Sequence, residues 1–182
     1  VVIITVFDVG NQSPILDSIR NKNSTEGVLL QFVVTSSDAE SNPILTTTTL
    51  PVGATLVDSG NGHGLFSWTP NYLQAGVYPV TFYATDDSLV VDSELISITI
   101  IDPGDQPPVF DSIGNFAVTE QSTLIIPVSA IDPEGTRVTL SVNTLLQHYT
   151  FVDSGNGRGV LTYNPNLFDA GLDTVRFVAT DS

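Results

Sequence analysis

The sequence predicts an all-β chain of two tandem β-sandwiches, the second lacking its own last strand. Three observations predict it. The first is an internal repeat. Val57-Asp58-Ser59-Gly60-Asn61-Gly62 recurs as Val152-Asp153-Ser154-Gly155-Asn156-Gly157, Pro14-Ile15-Leu16-Asp17-Ser18-Ile19 as Pro108-Val109-Phe110-Asp111-Ser112-Ile113, and Gly76 through Asp86 as Gly171 through Asp181. A repeat this long is a whole small domain. The second is alternation with period two: Tyr78, Val80, Phe82 and Ala84 share one face, as do Ile96, Ile98 and Ile100, and no stretch sustains a helical period. The third is the spacing of Gly, Pro, Asn and Asp clusters at short intervals between these segments.

Each element follows in order. In copy one, strands are expected near 14–19, 27–36, 44–50, 54–57, 64–68, 77–85 and 93–101. Copy two repeats them near 108–113, 121–130, 137–143, 149–152, 159–163 and 172–180, with Asp173, Val175, Phe177 and Ala179 on one face. A seventh is missing there. Trp68 and Tyr163 stand at equivalent positions before Thr-Pro and Asn-Pro. A large aromatic at that point suits an anchor between two sheets better than a ligand platform. Asp-Ser-Gly-Asn-Gly followed by a strand reads as a tight hairpin turn needing positive φ, since a phosphate-cradling loop needs a helix behind it. Asp102-Pro103-Gly104-Asp105-Gln106-Pro107-Pro108 joins the copies, and its prolines make it a semi-rigid connector. The expected division is an N-terminal strand equivalent over 1–9, domain one over 10–102 and domain two over 103–182.

Composition narrows the function. The 182 residues carry a net charge of −15 with five Lys and Arg. Nucleic acid needs clustered cations to displace counterions, and anionic membranes attract basic segments, so neither partner is expected. Val1 to Phe7 is apolar but far too short to span a bilayer. With 41% hydrophobic residues the chain has enough apolar material for a core. Cysteine is absent, and so is thiol or disulfide chemistry. The two histidines, His63 and His148, have no counterpart in the other copy and no nucleophile motif around them. No catalytic residues are assigned, and no enzyme is expected. Tyr72, Tyr83 and Tyr149 are candidate aromatics for a glycan or protein ligand, scattered along the chain. Asn23-Ser24-Thr25 fits the N-glycosylation pattern, and Asn11-Gln12-Ser13 does so less well because Pro14 follows.

The order of Thr25-Glu26-Gly27, Ser37-Asp38-Ala39-Glu40, Phe66-Ser67-Trp68-Thr69-Pro70, Ala75-Gly76, Ala84-Thr85-Asp86 and Asp102-Pro103-Gly104-Asp105, with its second occurrence through Thr119-Glu120, Ile131-Asp132-Pro133-Glu134-Gly135, Ala170-Gly171 and Ala179-Thr180-Asp181, covers nearly all of both copies. On these residues the chain resembles the bacterial cadherin-like and putative-Ig tandem surface repeats, of the dystroglycan-type cadherin-like kind. The resemblance implies Greek-key immunoglobulin/cadherin-like sandwiches at the cell surface or outside the cell, serving as stalks, spacers and adhesive modules. It also implies Ca²⁺ at the joint, with Glu26, Asp102, Asp105, Asp132, Glu134 and Asp181 as ligands, a donor set that suits a hard cation. A second candidate set is Asp8, Asp38, Glu40 and Asp86, where Asn11 replaces the acidic residue that Asp105 supplies. The Asp-Arg-Glu motif of cadherins is absent, with Gln74-Ala75-Gly76 and Asp169-Ala170-Gly171 nearby instead.

The repeat is also out of phase. Val1 to Asp8 matches Leu95 to Asp102, so Val2, Ile4 and Val6 align with Ile96, Ile98 and Ile100. A sandwich without its last strand exposes an apolar groove and unpaired backbone groups. A neighbouring molecule could fill it with Val1 to Asp8 by strand addition, and such a head-to-tail contact propagates into a filament. The alternative is a long tandem array, in which Val1 to Asp8 is the last strand of a preceding repeat.

Overall fold

The computed structural model describes residues 2–7 and 10–181. It divides into two compact units, Val1–Pro103 and Gly104–Ser182. Every regular element among the described residues is a β-strand.

Unit 1 is a sandwich of two four-stranded sheets. One holds β1 (Ile15–Leu16), β3 (Leu30–Ser37), β6 (His63–Trp68) and β5 (Thr55–Asp58), in that order. The other holds β2 (Lys22–Thr25), β8 (Val91–Ile101), β7 (Gly76–Thr85) and β4 (Ile44–Thr47). The alternation read from sequence decides which side chains face inward: Val80, Phe82 and Ala84 of β7 and Ile98 of β8 are all 0% exposed. Trp68 closes the core at 1% exposure, edge-on to Tyr78, with its indole N–H donating to the Val52 carbonyl. Phe32, Phe66 and Phe82 form a ring cluster between the sheets.

Unit 2 repeats the first sheet as β9 (Val109–Phe110), β10 (Leu124–Ile131), β13 (Arg158–Tyr163) and β12 (Tyr149–Gly155), ordered β12-β13-β10-β9. Its second sheet contains β11 (Thr139–Thr144) and β14 (Val175–Thr180). Tyr163, the counterpart of Trp68, is buried in the core with Leu161, Val128 and Leu140.

The repeated Asn-Gly motif is a tight turn in both units. Asn61 and Gly62 have φ of 59° and 71°, and Asn156 and Gly157 have 52° and 69°, the left-handed pair of a type I′ hairpin. The aspartate of the motif has a further role. Asp58 accepts from Gly60 N with one oxygen and from Leu45 N with the other, and Asp153 does the same with Gly155 N and Leu140 N. One carboxylate thus ties the turn to a strand of the opposite sheet.

Several segments differ from expectation, and those near 14–19 and 108–113 are strands only over Ile15–Leu16 and Val109–Phe110. Lys22–Thr25 is an additional strand, parallel to β8, where Lys-Asn-Ser-Thr carries no apolar alternation to announce it. The segment expected near 172–180 is a strand only over Val175–Thr180.

Candidate functional site: an open sheet edge and two acidic poles

In unit 1, β7 is paired on both sides: β4 runs along one edge, and β8 bonds the whole of Gly76–Thr85 along the other. In unit 2, β14 pairs with β11 from Thr139↔Thr180 to Thr144↔Val175. Its other edge bonds to no strand among the described residues. The packing registers the difference. Val80, Phe82 and Ala84 are 0% exposed, whereas their counterparts Val175, Phe177 and Ala179 are only partly buried against the unit 2 core. A shallow cavity of about 290 Å³ lies at the start of β14, lined by Asn143, Thr144, Leu145, Thr174, Val175 and Arg176.

The residues expected to donate a strand stand in solvent. Val2, Ile4 and Val6 are 87%, 83% and 87% exposed and belong to no strand. An exposed, alternating apolar segment and an exposed strand edge are the two halves of a β-addition contact.

Of the second candidate metal set, Asp8 lies outside the described residues. In the rest, Asp38 Oδ1 accepts from the backbone N–H of Glu40 (2.9 Å) and Ser41 (2.6 Å) and from the Ser41 hydroxyl. The Glu40 N–H bond foremost holds the Asp38 carboxyl below its ordinary pKa. Asn11 donates its side-chain amide to Asp86 Oδ2 (2.8 Å), and Gln12 N donates to Glu40 Oε2 (3.1 Å), so residues 11 and 12 link Asp86 to Glu40. Asp86 is 3% exposed, its other oxygen satisfied by Ser88 N and Val90 N.

The joint set divides between the units. In unit 1, Glu26 is 4% exposed and accepts from Gln74 N (2.6 Å), and Asp102 is exposed. In unit 2, Asp132 Oδ1 caps its own turn through Glu134 N and Thr136 N, and Glu134 Oε1 accepts from Gln106 N. Among the described residues, Asp132 Oδ2, Glu134 Oε2 and Thr136 Oγ1 are buried and meet no hydrogen-bond partner, and the same holds for Asp38 Oδ2 in unit 1. Buried oxygens of this kind are costly unless a donor or cation meets them. Asp105 is exposed and Asp181 half-buried. Among the described residues, no three His, Asp or Glu side chains converge into a metal-holding group.

The remaining candidates are spread over both units. Tyr149 packs on the unit 2 core, and the Tyr72 hydroxyl lies against Gly27. Tyr83 is half-buried on β7 and Asn23 is exposed on β2. His148 Nδ1 meets Asp169 Oδ2 at 2.8 Å beside Asn166, and His63 is exposed at the start of β6. Burial, aided by Asp169 and Asp173, raises the Tyr163 phenol above its ordinary pKa. No helix among the described residues is long and apolar enough to cross a membrane.

Residues 13–101 match the family model described as putative Ig domain, and residues 105–182 the one described as bacterial Ig domain. A chitinase A from Pseudoalteromonas piscicida is 22% identical over 138 residues, 76% of this chain and 17% of that protein. Among solved structures, an endo-fucoidan hydrolase of glycoside hydrolase family 107 aligns over 97% of this chain and 28% of its own, at 17% identity and a TM-score of 0.49. The sialic acid binding region of a Streptococcus sanguinis adhesin aligns over 94% and 74%, at 10% identity and 0.44. The chain thus spans less than a third of the length of the chitinase and of the hydrolase.

Proposed function

We propose a structural, self-associating role for this chain, which belongs to the bacterial Ig-type families over residues 13–101 and 105–182: it is a module of an extracellular surface filament, joined head-to-tail when residues 2–7 of one copy add as a strand to β14 of another. The observation that carries this is the pairing of opposites within one chain. Among the described residues β14 has an edge that bonds to no strand and a core face that is only partly buried, and Val2, Ile4 and Val6 repeat the pattern of the strand that pairs with the same edge in unit 1. The module does no chemistry of its own in this reading.

Light scattering and electron microscopy of the full chain, beside a variant lacking residues 1–8, test it. Concentration-dependent oligomers or fibres that vanish with the deletion are expected. A full chain that is folded yet monomeric at high concentration would overturn the filament.

Calcium is the cofactor we assign to the acidic poles. In unit 2 the buried oxygens of Asp132, Glu134 and Thr136 that lack a partner among the described residues suit a hard cation, with Asp105 and Asp181 as further oxygen donors by resemblance. When bound, calcium neutralises charge that otherwise repels in a chain of −15. Saturation at a hundredfold above Kd adds about 2.7 kcal/mol to the folded state. Calorimetry should show unfolding of unit 2 moving up with Ca²⁺, and Asp132→Asn should remove the shift. An unshifted transition in the native chain defeats the assignment.

The match to a chitinase favours a second reading, a spacer or glycan-binding sandwich within a larger polysaccharide-acting protein. Binding of the chain to chitin or another glycan, lost in Tyr83→Ala, would support it. Absence of binding across a glycan array would remove the glycan-binding form of this reading and leave the spacer.

A further inference from the structure

The acidic poles of the two units are built from the same parts. In unit 1, Asp38 Oδ1 caps its turn through Glu40 N and Ser41 N; in unit 2, Asp132 Oδ1 caps its turn through Glu134 N and Thr136 N. Gln12 N donates to the Glu40 carboxylate at 3.1 Å, and Gln106 N to that of Glu134 at 3.2 Å. The Gln12 amide donates back to the Gly10 carbonyl, and the Gln106 amide to that of Gly104. Gly10 and Gly104 turn the chain there at φ of 76° and 86°. The entering segment is held in the same way in both units, and residues 11 and 105 take the same place in it.

Those two residues differ in what they can donate. Asn11 gives its side-chain N–H to Asp86 Oδ2 at 2.8 Å. With Ser88 N and Val90 N on Oδ1, both oxygens of this 3% exposed carboxylate are satisfied. Position 105 is Asp, and Asp181 stands where unit 1 has Asp86. An ionised carboxylate has no hydrogen to donate, and two carboxylates set against each other repel. The closure that an amide makes in unit 1 is therefore not available to unit 2. The turn beside it carries the deficit. Asp132 is only 8% exposed, and its Oδ2 is buried together with Glu134 Oε2 and Thr136 Oγ1 of the same turn, none meeting a partner among the described residues. The corresponding turn of unit 1 leaves Asp38 Oδ2 alone in that condition.

We infer that the residue at this position decides which unit takes calcium: the Asn11 amide does in unit 1 what the cation does in unit 2, so calcium binds at Asp105, Asp132, Glu134 and Asp181 and not at the acidic pole of unit 1. This rests on the calcium assignment above and narrows it to one unit. An N–H and a cation both meet a carboxylate oxygen with positive charge, but the N–H is part of the chain and is present at every calcium concentration. One fold is thus used twice, once closed by its own amide and once dependent on a cation from solution.

Calcium titration of the EDTA-treated full chain tests this at constant ionic strength, so that screening does not imitate binding. Scanning calorimetry follows both units and Trp68 fluorescence follows unit 1, in the native chain and in the reciprocal variants Asp105→Asn and Asn11→Asp. In the native chain, Ca²⁺ should raise the unit 2 midpoint and leave the Trp68 transition in place. Asp105→Asn should bind calcium about tenfold more weakly, because ligand charge sets calcium affinity. In EDTA it should raise the unit 2 midpoint by roughly 4–8 °C, the worth of one added hydrogen bond. Asn11→Asp should lower the unit 1 midpoint by a similar amount in EDTA, and calcium should restore it. Should unit 1 fail to fold with Asn11→Asp, the Asp105→Asn arm still decides. A native chain in which calcium shifts both units, or an Asp105→Asn chain that binds calcium as the native chain does, would overturn this inference and leave the calcium assignment standing. No calcium response in either unit of the native chain would overturn both.

Discussion

Phe82 and Phe177 occupy the same position in the two copies, and truncating each to Ala measures what a central strand contributes to the core. Phe82 is 0% exposed, with ring centroids of Phe32 and Phe66 at 6.0 and 6.1 Å. Its removal leaves a cavity walled on every side, so Phe82→Ala should cost about 3–5 kcal/mol. Phe177 is partly buried and has one ring neighbour, Phe151 at 6.0 Å. It lacks one aromatic pair, worth about 0.5–1.5 kcal/mol, and part of the area that burial removes from water. Phe177→Ala should therefore cost about 1–2 kcal/mol less than Phe82→Ala. The units can be followed separately. Trp68, the chain's single tryptophan, reports unit 1 by fluorescence, and calorimetry resolves the remaining transition. Differences of this size displace the midpoint of a domain this small by roughly 4–8 °C per kcal/mol. If residues 2–7 add to β14 as proposed, saturating peptide of residues 1–8 should then raise the cost of Phe177→Ala toward that of Phe82→Ala, because the added strand covers the ring. Equal costs without peptide, or a Phe177→Ala cost that peptide leaves unchanged, would refute the reasoning that an absent strand loosens this face.

Two further expectations concern the turns and the buried phenol. A Cβ at Gly62 would overlap the Ser36 carbonyl and one at Gly157 the Ala130 carbonyl, both at positive φ, so Gly62→Ala and Gly157→Ala should each cost about 1–3 kcal/mol in urea unfolding of their own unit. Costs within a few tenths would show that the turns adapt. Tyr163 is held neutral by burial, so its folded pKa lies above that of the unfolded chain. Its contribution is full below about pH 10 and is lost as pH rises through the folded value. Unit 2 should weaken in alkali more steeply than Tyr163→Phe does, and parallel alkaline curves would contradict this.

Much of the fold was legible because the signals are local. Alternation placed Val80, Phe82, Ala84, Ile96, Ile98 and Ile100 in one core, and the repeated aromatic placed Trp68 and Tyr163 between the sheets. Asn-Gly before a strand specified its turn through φ alone. What stayed hidden depends on partners. Lys22–Thr25 is a strand because β8 supplies backbone groups beside it, and polar side chains neither favour nor prevent that. Gly171–Thr174 carries the pattern of Gly76–Pro79 yet is no strand, for the converse reason. The role of Asp58 and Asp153 was equally invisible, since each bonds a strand in the opposite sheet that the turn's own sequence does not identify.

The two copies form an internal comparison that no single domain offers. They share the turn motif, the aspartate tie, the aromatic anchor and the first sheet strand for strand. They differ in whether one strand stands between two segments, 22–25 and 76–79 in unit 1 and 116–119 and 171–174 in unit 2. Where it does, both flanking segments are ladders and the facing side chains are sealed; where it does not, both ladders and the seal are absent together. Had the flanking segments been strands by their own propensity, 116–119 and 171–174 would have kept that structure without a partner. Sheet structure at these positions is therefore conferred by the neighbour, as expected when β-propensity reflects packing and pairing more than the isolated backbone.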